Sequence, residues 1–131
     1  MENKKKIFYH GSPTPNIKVL EPRLDPRLGI EGLFVSQELF SPTIFALLPV
    51  RAHATVNLTT KNKKFIKGTV KTYKINEEGW LYTLEAHNEI IKERKPGTFH
   101  LIAPVKVIKA EKVTKSDAIK MGWKIIIKEK R

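Results

Sequence analysis

Four consecutive residues near the start of the chain, Tyr9, His10, Gly11 and Ser12, combine groups that can hold a small polar ligand. A histidine is a proton donor or acceptor near neutral pH, and a serine hydroxyl beside it adds a second hydrogen-bonding group. The glycine lets a ligand approach the backbone closely. This combination suits a ribose or an amide. The same residues are also typical of a strand end and an ordinary turn, in which backbone groups satisfy the histidine.

Arginine and histidine side chains elsewhere in the chain add candidate phosphate contacts. Arg23 and Arg27 lie in a proline-rich segment, where they meet a pyrophosphate or are surface arginines of an exposed loop. Arg51 and His53 form a second pair, either beside a cleft or at a solvated helix end. Of these residues, Arg23 is the predicted cofactor-binding one.

Neither the remaining histidines nor the tryptophans indicate a metal or a base-stacking site. His87 and His100 have no partners at metal-ligand spacing, and the chain has no cysteine, so no metal site is predicted. Trp80 and Trp123 each begin an apolar run and are predicted as core residues, whereas Tyr82 fits either role.

Short strand patterns must position these residues. The apolar and aromatic run at 6–10 ends at Gly11-Ser12-Pro13, which predicts a strand and a turn. Four prolines predict that residues 12–29 are mostly irregular. Further strands are predicted at residues 33–36, 55–58, 68–75, 80–84, 99–102, 105–113 and 123–127.

Helix signals are few and short. Ser41 followed by Pro42 predicts an N-cap residue and a first helical residue, and Pro49 ends that helix. Residues 116–121, followed by Gly122, predict a second helix, and residues 86–94 fit one or two helical turns. The strands do not alternate with long helices, which argues against a doubly wound parallel sheet. We therefore predict one α+β domain over residues 1–131, with a split or curved antiparallel-rich sheet and two or three short helices.

The charge of the chain is strongly positive. Among 131 residues there are 25 Lys and Arg and 13 Asp and Glu, a net charge of +12. Such a field attracts polyanions, so RNA or DNA is a predicted partner, although lysines also serve solubility alone. No apolar run is long enough to cross a membrane, and no secretory signal is present, so a cytoplasmic location without membrane contact is predicted. The absence of Gly-rich phosphate-binding and nucleophile-elbow motifs argues against P-loop kinases, Rossmann dehydrogenases and α/β-hydrolases.

Several short segments follow one another in an informative order. They are residues 8–13 (FYHGSP), 17–23 (IKVLEPR), 32–36 (GLFVS), 44–47 (IFAL) and 79–85 (GWLYTLE). The series resembles small, mostly uncharacterised bacterial and phage proteins with an ADP-ribosyltransferase-like fold, and the resemblance covers roughly residues 7–113. The resemblance implies a split sheet that holds NAD or a related nucleotide in a cleft.

The first motif of that resemblance falls on His10. It implies that His10 contacts the ribose or the amide of the nicotinamide half, that Gly11 brings backbone to the carboxamide, and that Ser12 assists. The second motif falls on Phe34, Val35 and Ser36, of which Phe34 and Ser36 would pack on the nicotinamide. Active members carry a tyrosine, a histidine or a hydroxyl pair there, and this chain has no tyrosine in the motif.

The third motif is a carboxylate late in a strand, and Glu85 is the matching residue. In active members this group stabilises the positive charge that develops on the ribose when the N-glycosidic bond of NAD breaks. Three hypotheses follow for the chain. The first is a transferase that uses NAD with His10 and Glu85, or that acts on RNA as the related RNA 2′-phosphotransferases do. The second is a binding module of the same fold that holds a nucleotide or nucleic acid without catalysis. The third is a basic nucleic-acid-binding accessory protein of phage or mobile-element type.

Overall fold

The computed structural model describes residues 5–25, 30–49, 54–61, 64–95 and 98–128. The helices are α1 (Phe40–Leu47) and α2 (Lys115–Met121), and Asn88–Ile90 forms one 3₁₀ turn. The strands are β1 (Lys6–Ser12), β2 (Val19–Leu20), β3 (Arg23–Asp25), β4 (Ile30–Val35), β5 (Ala54–Lys61), β6 (Lys64–Thr72), β7 (Glu78–Ala86), β8 (Ile91–Lys95), β9 (Thr98–Leu101), β10 (Val105–Lys106), β11 (Lys109–Thr114) and β12 (Trp123–Ile127).

The strands form several small sheets. The central sheet has the order β1-β7-β11, and both of its pairings are antiparallel. A four-stranded antiparallel sheet has the order β3-β4-β9-β8, and β2 pairs with β10. The outer sheet has the order β12-β6-β5, in which β12 runs parallel to β6. The molecule is therefore a small β-rich α+β domain, as the strand patterns predict.

Helix α1 lies between the central sheet and the outer sheet. Toward the outer sheet, Ile44 and Leu47 share a core cluster with Val70 of β6 and Trp123 of β12. The Trp123 indole donates a hydrogen bond of 2.9 Å to the Phe40 carbonyl and stacks on the Phe40 ring at 4.6 Å. Burial of both apolar sides of α1 joins the two sheets through one short helix.

The opposite side of α1 contacts the central sheet so closely that two glycines are needed there. A Cβ atom on Gly11 would lie 1.8 Å from the Pro42 carbonyl oxygen, and one on Gly79 would lie 1.9 Å from the Ala46 carbonyl oxygen. Helix and sheet backbones therefore pack directly against each other at these positions. The two glycines set the distance between α1 and the central sheet.

A second core covers the other face of the central sheet. Its buried members include Phe8 of β1, Tyr82 and Leu84 of β7, Val35 of β4 and Leu101 of β9. Two hydrogen bonds between the backbones of Tyr9 and Ser36, of 2.7 and 2.9 Å, hold the end of β4 against β1. The central sheet is thus buried by α1 on one face and by the four-stranded sheet on the other.

The structure corrects the predicted start of α1. The helix begins at Phe40, so Ser41 and Pro42 lie inside its first turn, and the N-cap residue Leu39 makes no side-chain cap. The Glu38 carboxylate accepts from the amides of Phe40 and Ser41 instead. A carboxylate two residues before the helix supplies the acceptor that the Ser-Pro pattern assigned to Ser41.

Helix α2 is capped at both of its ends. It starts one residue earlier, with Thr114 as N-cap in a reciprocal capping box with Asp117. Gly122, the C-cap residue that follows Met121, has φ 120°, a conformation that glycine adopts without strain. The predicted stop at Gly122 is confirmed.

Three other predicted segments differ from the structure. Residues 86–94 form only one 3₁₀ turn before β8 begins at Ile91, so the expected helical turns are mostly strand. The single strand expected at 105–113 is two strands, β10 and β11. Residues 12–29 contain β2 and β3, although prolines interrupt them. Among the helices that the structure describes, none is long and apolar enough to span a bilayer.

Candidate functional site

A cavity of about 210 Å³ lies beside β1, on the face of the central sheet that is turned away from α1. It is lined by His10, Ser12, Thr14, Ile17, Val19, Leu20, Glu21 and Leu33. Strand alternation explains its position, because His10 and Ser12 project from the same face of β1 while Gly11 faces the helix. The first predicted motif therefore contributes two of its residues to one cavity.

The His10 ring is held in one orientation by the backbone of β4. Its Nδ1 lies 2.7 Å from the Phe34 carbonyl oxygen. A carbonyl oxygen only accepts, so Nδ1 carries the proton and Nε2 of the neutral ring has a free lone pair. Nε2 has no hydrogen-bond partner within the described parts of the chain. His10 can thus accept a hydrogen bond from a ligand in the cavity.

Burial lowers the pKa of His10 below its ordinary value of 6.5, because desolvation disfavours the charged ring. The hydrogen bond to Phe34 acts in the opposite direction and is outweighed. The ring is therefore neutral at pH 7. In this state it is an acceptor at Nε2 rather than a cation.

The loop that follows β1 is fixed over the cavity by a buried tyrosine. Tyr82 pairs with His10 in the central sheet, and its hydroxyl donates to the Thr14 carbonyl. The same hydroxyl accepts from the Ile17 amide at 3.3 Å. Burial raises the pKa of Tyr82, so the hydroxyl remains protonated and keeps both contacts. Of the two roles that the sequence left open for Tyr82, the structure shows that of a buried core residue.

Two further polar residues line the cavity. Ser12 Oγ accepts from the Thr14 amide at 3.1 Å, which leaves the hydroxyl proton available to a ligand. Glu21, directly after β2, is the one acidic residue among the described lining residues. The described lining contains no lysine or arginine. The described lining is therefore rich in hydrogen-bond acceptors and offers no cation to a phosphate.

The structure places Gly11 and the Phe34 ring outside the cavity. Gly11 contacts the backbone of α1, so it serves helix packing rather than ligand approach. The Phe34 ring packs edge-on against Phe45 at 5.4 Å and His100 at 6.2 Å. Leu33 lines the cavity, and its neighbour in an extended strand must point to the other face. Only the Phe34 carbonyl reaches His10.

Ser36 is buried and has a structural role. Its hydroxyl donates to Glu38 Oε1 at 2.8 Å, and it accepts from the Glu38 amide at 3.2 Å. The same carboxylate caps α1. The predicted ligand residue Ser36 therefore orients the cap of the helix and does not line the cavity.

Glu85 is not brought together with His10. In β7, Tyr82, Leu84 and Ala86 share the His10 face, so Glu85 projects from the opposite face, where it is exposed and pairs with Ile7. The register of two adjacent strands separates the two predicted catalytic residues. The acidic residue that the structure brings to the cavity is Glu21.

The predicted arginines lie largely beyond what the structure describes. Arg23 is in β3, paired with Gly32, two residues after Glu21. Arg27, Arg51 and His53 lie outside the described residues. Arg23 stays a predicted phosphate ligand.

The remaining candidates are placed in or near the cores. Trp123 is buried, as predicted. Trp80 is half-buried and packs on the core, and its ring centroid lies 5.9 Å from Lys112 Nζ. His87 precedes the 3₁₀ turn, and His100 pairs with Phe34 between β9 and β4. In the part of the chain that the structure describes, no three His, Asp or Glu residues are grouped as metal ligands.

Comparison of this chain with models of protein families, with curated proteins and with solved structures gives no match.

Proposed function

We propose that this protein binds the nucleoside end of a nucleotide, NAD or an ADP-ribose-like molecule, in the cavity beside His10 of an ADP-ribosyltransferase-like fold. One observation carries the proposal. A neutral histidine, fixed by the Phe34 carbonyl, lines a cavity with Nε2 free to accept a hydrogen bond. The hydrogen bond at one ring nitrogen sets the state of the other, and a few fixed polar groups in a concave site are what orient a small ligand.

The chemistry of the lining supports a ribose or a carboxamide. Ribose hydroxyls and a carboxamide NH₂ donate hydrogen bonds, which His10 Nε2 and the Glu21 carboxylate can accept. The Ser12 hydroxyl can donate one bond in return. The described lining has no Lys or Arg, so the phosphates of the ligand would lie outside the cavity, where Arg23 is the predicted contact.

The size of the cavity limits what enters it. Its volume of about 210 Å³ is below the roughly 300–1,000 Å³ of typical ligand pockets. One sugar or one base fits such a space, whereas a whole dinucleotide does not. The proposal therefore places one end of the nucleotide in the cavity and the rest on the surface.

Binding, rather than catalysis, is the function that the geometry supports best. The transferase hypothesis needs a carboxylate beside the ribose, and Glu85 lies on the other face of β7. Glu21 is the carboxylate in position to act if the N-glycosidic bond is attacked. Cleavage by water would release nicotinamide and ADP-ribose, so nicotinamide release separates turnover from binding.

Calorimetric titration with NAD, ADP-ribose and nicotinamide riboside tests the proposal. We expect saturable binding of at least one of them by the wild type. His10→Asn keeps a donor for the Phe34 carbonyl but lacks Nε2, so this variant should fold. Both His10→Asn and His10→Ala should bind the ligand at least tenfold more weakly than the wild type. His87→Ala removes an imidazole far along the chain and should bind normally.

Two outcomes would overturn the proposal. They are the absence of binding by a folded wild-type protein, and equal affinity of wild type and His10→Asn. If nicotinamide is released, Glu21→Gln and Glu85→Gln identify the carboxylate involved. Loss of release in Glu21→Gln alone is the expected result.

A further inference from the structure

The outer sheet differs from the rest of the molecule in its charge. Strands β5, β6 and β12 contain no Asp or Glu, although five lysines lie within them. In the central sheet, by contrast, acidic side chains pair with lysines: Lys109 with Glu111 at 2.8 Å and Lys112 with Glu78 at 3.4 Å. The closest carboxylates in sequence to the outer sheet, Glu77 and Glu129, follow the ends of its strands.

The lysines of the outer sheet lie on the face that is turned away from α1. Gly68, Val70 and Trp123 occupy the α1 side, so alternation places Lys67, Lys71 and Lys124 on the other side, where all three are exposed. Lys128 follows β12 and continues its row. We call these four lysines and Tyr73 the basic face. No described ion pair involves any of the four lysines.

The register spaces these charges evenly. Lys124 lies opposite Thr69, midway between Lys67 and Lys71 on the neighbouring strand. Each step along the row covers about 7 Å of strand and alternates between strands about 4.8 Å apart. Four cations thus form a regular zigzag row across two strands. A chain of evenly spaced anions is the natural complement of such a row.

An aromatic ring lies at the end of the row. Tyr73 follows β6, is 50% exposed, and lies with its ring centroid 5.5 Å from Lys128 Nζ. The edge strand β5 adds the exposed polar side chains Thr55, Asn57 and Thr59 on the same side of the sheet. Lysines for phosphates, an exposed aromatic ring for a base and neutral hydrogen-bonding groups are the components of surfaces that bind single strands.

We infer that the basic face binds single-stranded nucleic acid, with Lys67, Lys71, Lys124 and Lys128 on the phosphates and Tyr73 stacked on a base. A duplex offers phosphates to the lysines but no unstacked base to Tyr73, and an anionic membrane likewise leaves the ring without a stacking partner. The basic face and the His10 cavity lie on opposite sides of α1, so this inference does not rest on the proposed function.

Fluorescence anisotropy with labelled oligouridylate and oligothymidylate of about twelve nucleotides tests the inference. The comparison is between two variants that lose the same number of charges. The face variant changes the four lysines of the basic face to Gln, and the control variant changes Lys92, Lys106, Lys109 and Lys112 to Gln. Seven of the eight side chains are exposed and that of Lys128 is half-buried. Circular dichroism and thermal unfolding verify that each variant is folded.

The face variant should lose affinity by up to about 600-fold at 0.1 M salt if all four lysines contact phosphates, because each contact to a single strand contributes a salt exponent of about 0.7. The slope of log K against log salt should fall by about 2.8. The control variant should change by less than about fivefold, the effect of one lost phosphate contact. Replacement of the four lysines by Arg keeps the charge and should retain binding.

Tyr73→Ala separates single-strand binding from general attraction to polyanions. Loss of one stacked base should weaken oligonucleotide binding about 5- to 150-fold and leave duplex binding unchanged. Whether the RNA or the DNA strand binds more tightly assigns the source of the ligand.

Three results would overturn the inference. They are equal losses in the face and control variants, duplex binding as tight as single-strand binding with no effect of Tyr73→Ala, and binding to phosphatidylserine vesicles by a protein that does not bind oligonucleotides. The face variant should still bind the nucleotide ligand of the His10 cavity, so the two proposals fail or succeed separately.

Discussion

At the scale of single residues, His10 combines two constraints on one ring. The Phe34 carbonyl fixes the proton on Nδ1, and burial keeps the ring neutral. A protonated ring would have to donate from Nε2 into a space lined by apolar Leu20 and Leu33 as well as by Glu21. A fixed lone pair is a more selective contact than a rotating hydroxyl, because it accepts from one direction only.

The depressed pKa of His10 predicts a pH dependence of stability. Below about pH 6.5 the unfolded chain takes up a proton at His10 that the folded protein binds more weakly. The free energy of unfolding therefore decreases as the pH is lowered. Above this pH His10 is neutral in both states and contributes no slope. Urea unfolding of wild type and His10→Asn between about pH 5 and 8 measures the effect. The wild type should lose stability relative to the variant below pH 6.5, by at most about 1.4 kcal/mol per pH unit. A constant difference would contradict this prediction.

Tyr82 carries a second prediction at this scale. Tyr82→Phe removes the partner of the Thr14 carbonyl and of the Ile17 amide, and should lower the free energy of unfolding by about 1–3 kcal/mol. Because Thr14 and Ile17 also line the cavity, ligand affinity should fall as well. Tyr73→Phe, which changes an exposed ring in the same way, is the control and should leave stability nearly unchanged.

At the scale of elements, α1 depends on groups outside the helix. The Glu38 carboxylate caps its first turn, and Ser36 holds that carboxylate. Glu38→Ala should lower the free energy of unfolding by about 0.5–2 kcal/mol, the usual effect of a lost cap. Glu85→Ala removes the same charge from an exposed strand position and is the control. Chemical denaturation of both variants in one buffer compares them directly, and equal effects would show that Glu38 is not the cap.

The contact of α1 with the central sheet predicts a large effect for the smallest substitution. Gly11→Ala and Gly79→Ala each place a methyl group within 2 Å of a helix carbonyl oxygen. Each should destabilise the protein by about 1–3 kcal/mol or more through overpacking. The double variant should lose less than the sum, because one outward shift of α1 relieves both contacts. Thermal unfolding of the two single variants and the double variant tests this coupling, and strict additivity would contradict a shared shift.

Sequence patterns predicted the positions of helices and strands better than they predicted which faces of the strands contact each other. The apolar runs of β1 and β7 and the end of α2 at Gly122 were predictable, because they depend on local patterns. The face from which Glu85 projects was not predictable. Strand β7 carries apolar residues on both faces, so its pattern does not reveal which face lies beside the cavity. Glu21 lay within one of the quoted segments, but its place beside His10 depends on the pairing of β2 with β10. Partners distant in sequence set this pairing.

At the scale of the whole molecule, the layers separate two kinds of surface. The cavity, which has an acidic residue and a neutral histidine, lies on one side of α1, and the basic face lies on the other. The excess positive charge is thus uneven, and part of it is concentrated on a sheet without carboxylates.

This concentration of charge predicts a response of stability to salt. The net charge of +12 repels itself most in the folded state, and salt screens that repulsion over about 10 Å at 0.1 M. The melting temperature should therefore rise between about 0.01 and 0.3 M sodium chloride. The face variant should melt higher than wild type at low salt and respond less to added salt. A melting temperature that falls with salt would indicate that ion pairs, such as Lys109 with Glu111, outweigh the repulsion.

The parallel pairing of β12 with β6 also sets an order of events during synthesis. Gly68 emerges from the ribosome 55 residues before Trp123, its partner in the outer sheet. Until Trp123 arrives, Ile44, Leu47 and Val70 lack the ring that covers them. A nascent chain of this protein therefore carries an open apolar layer while these 55 residues are synthesised, and aggregation competes with folding during that interval.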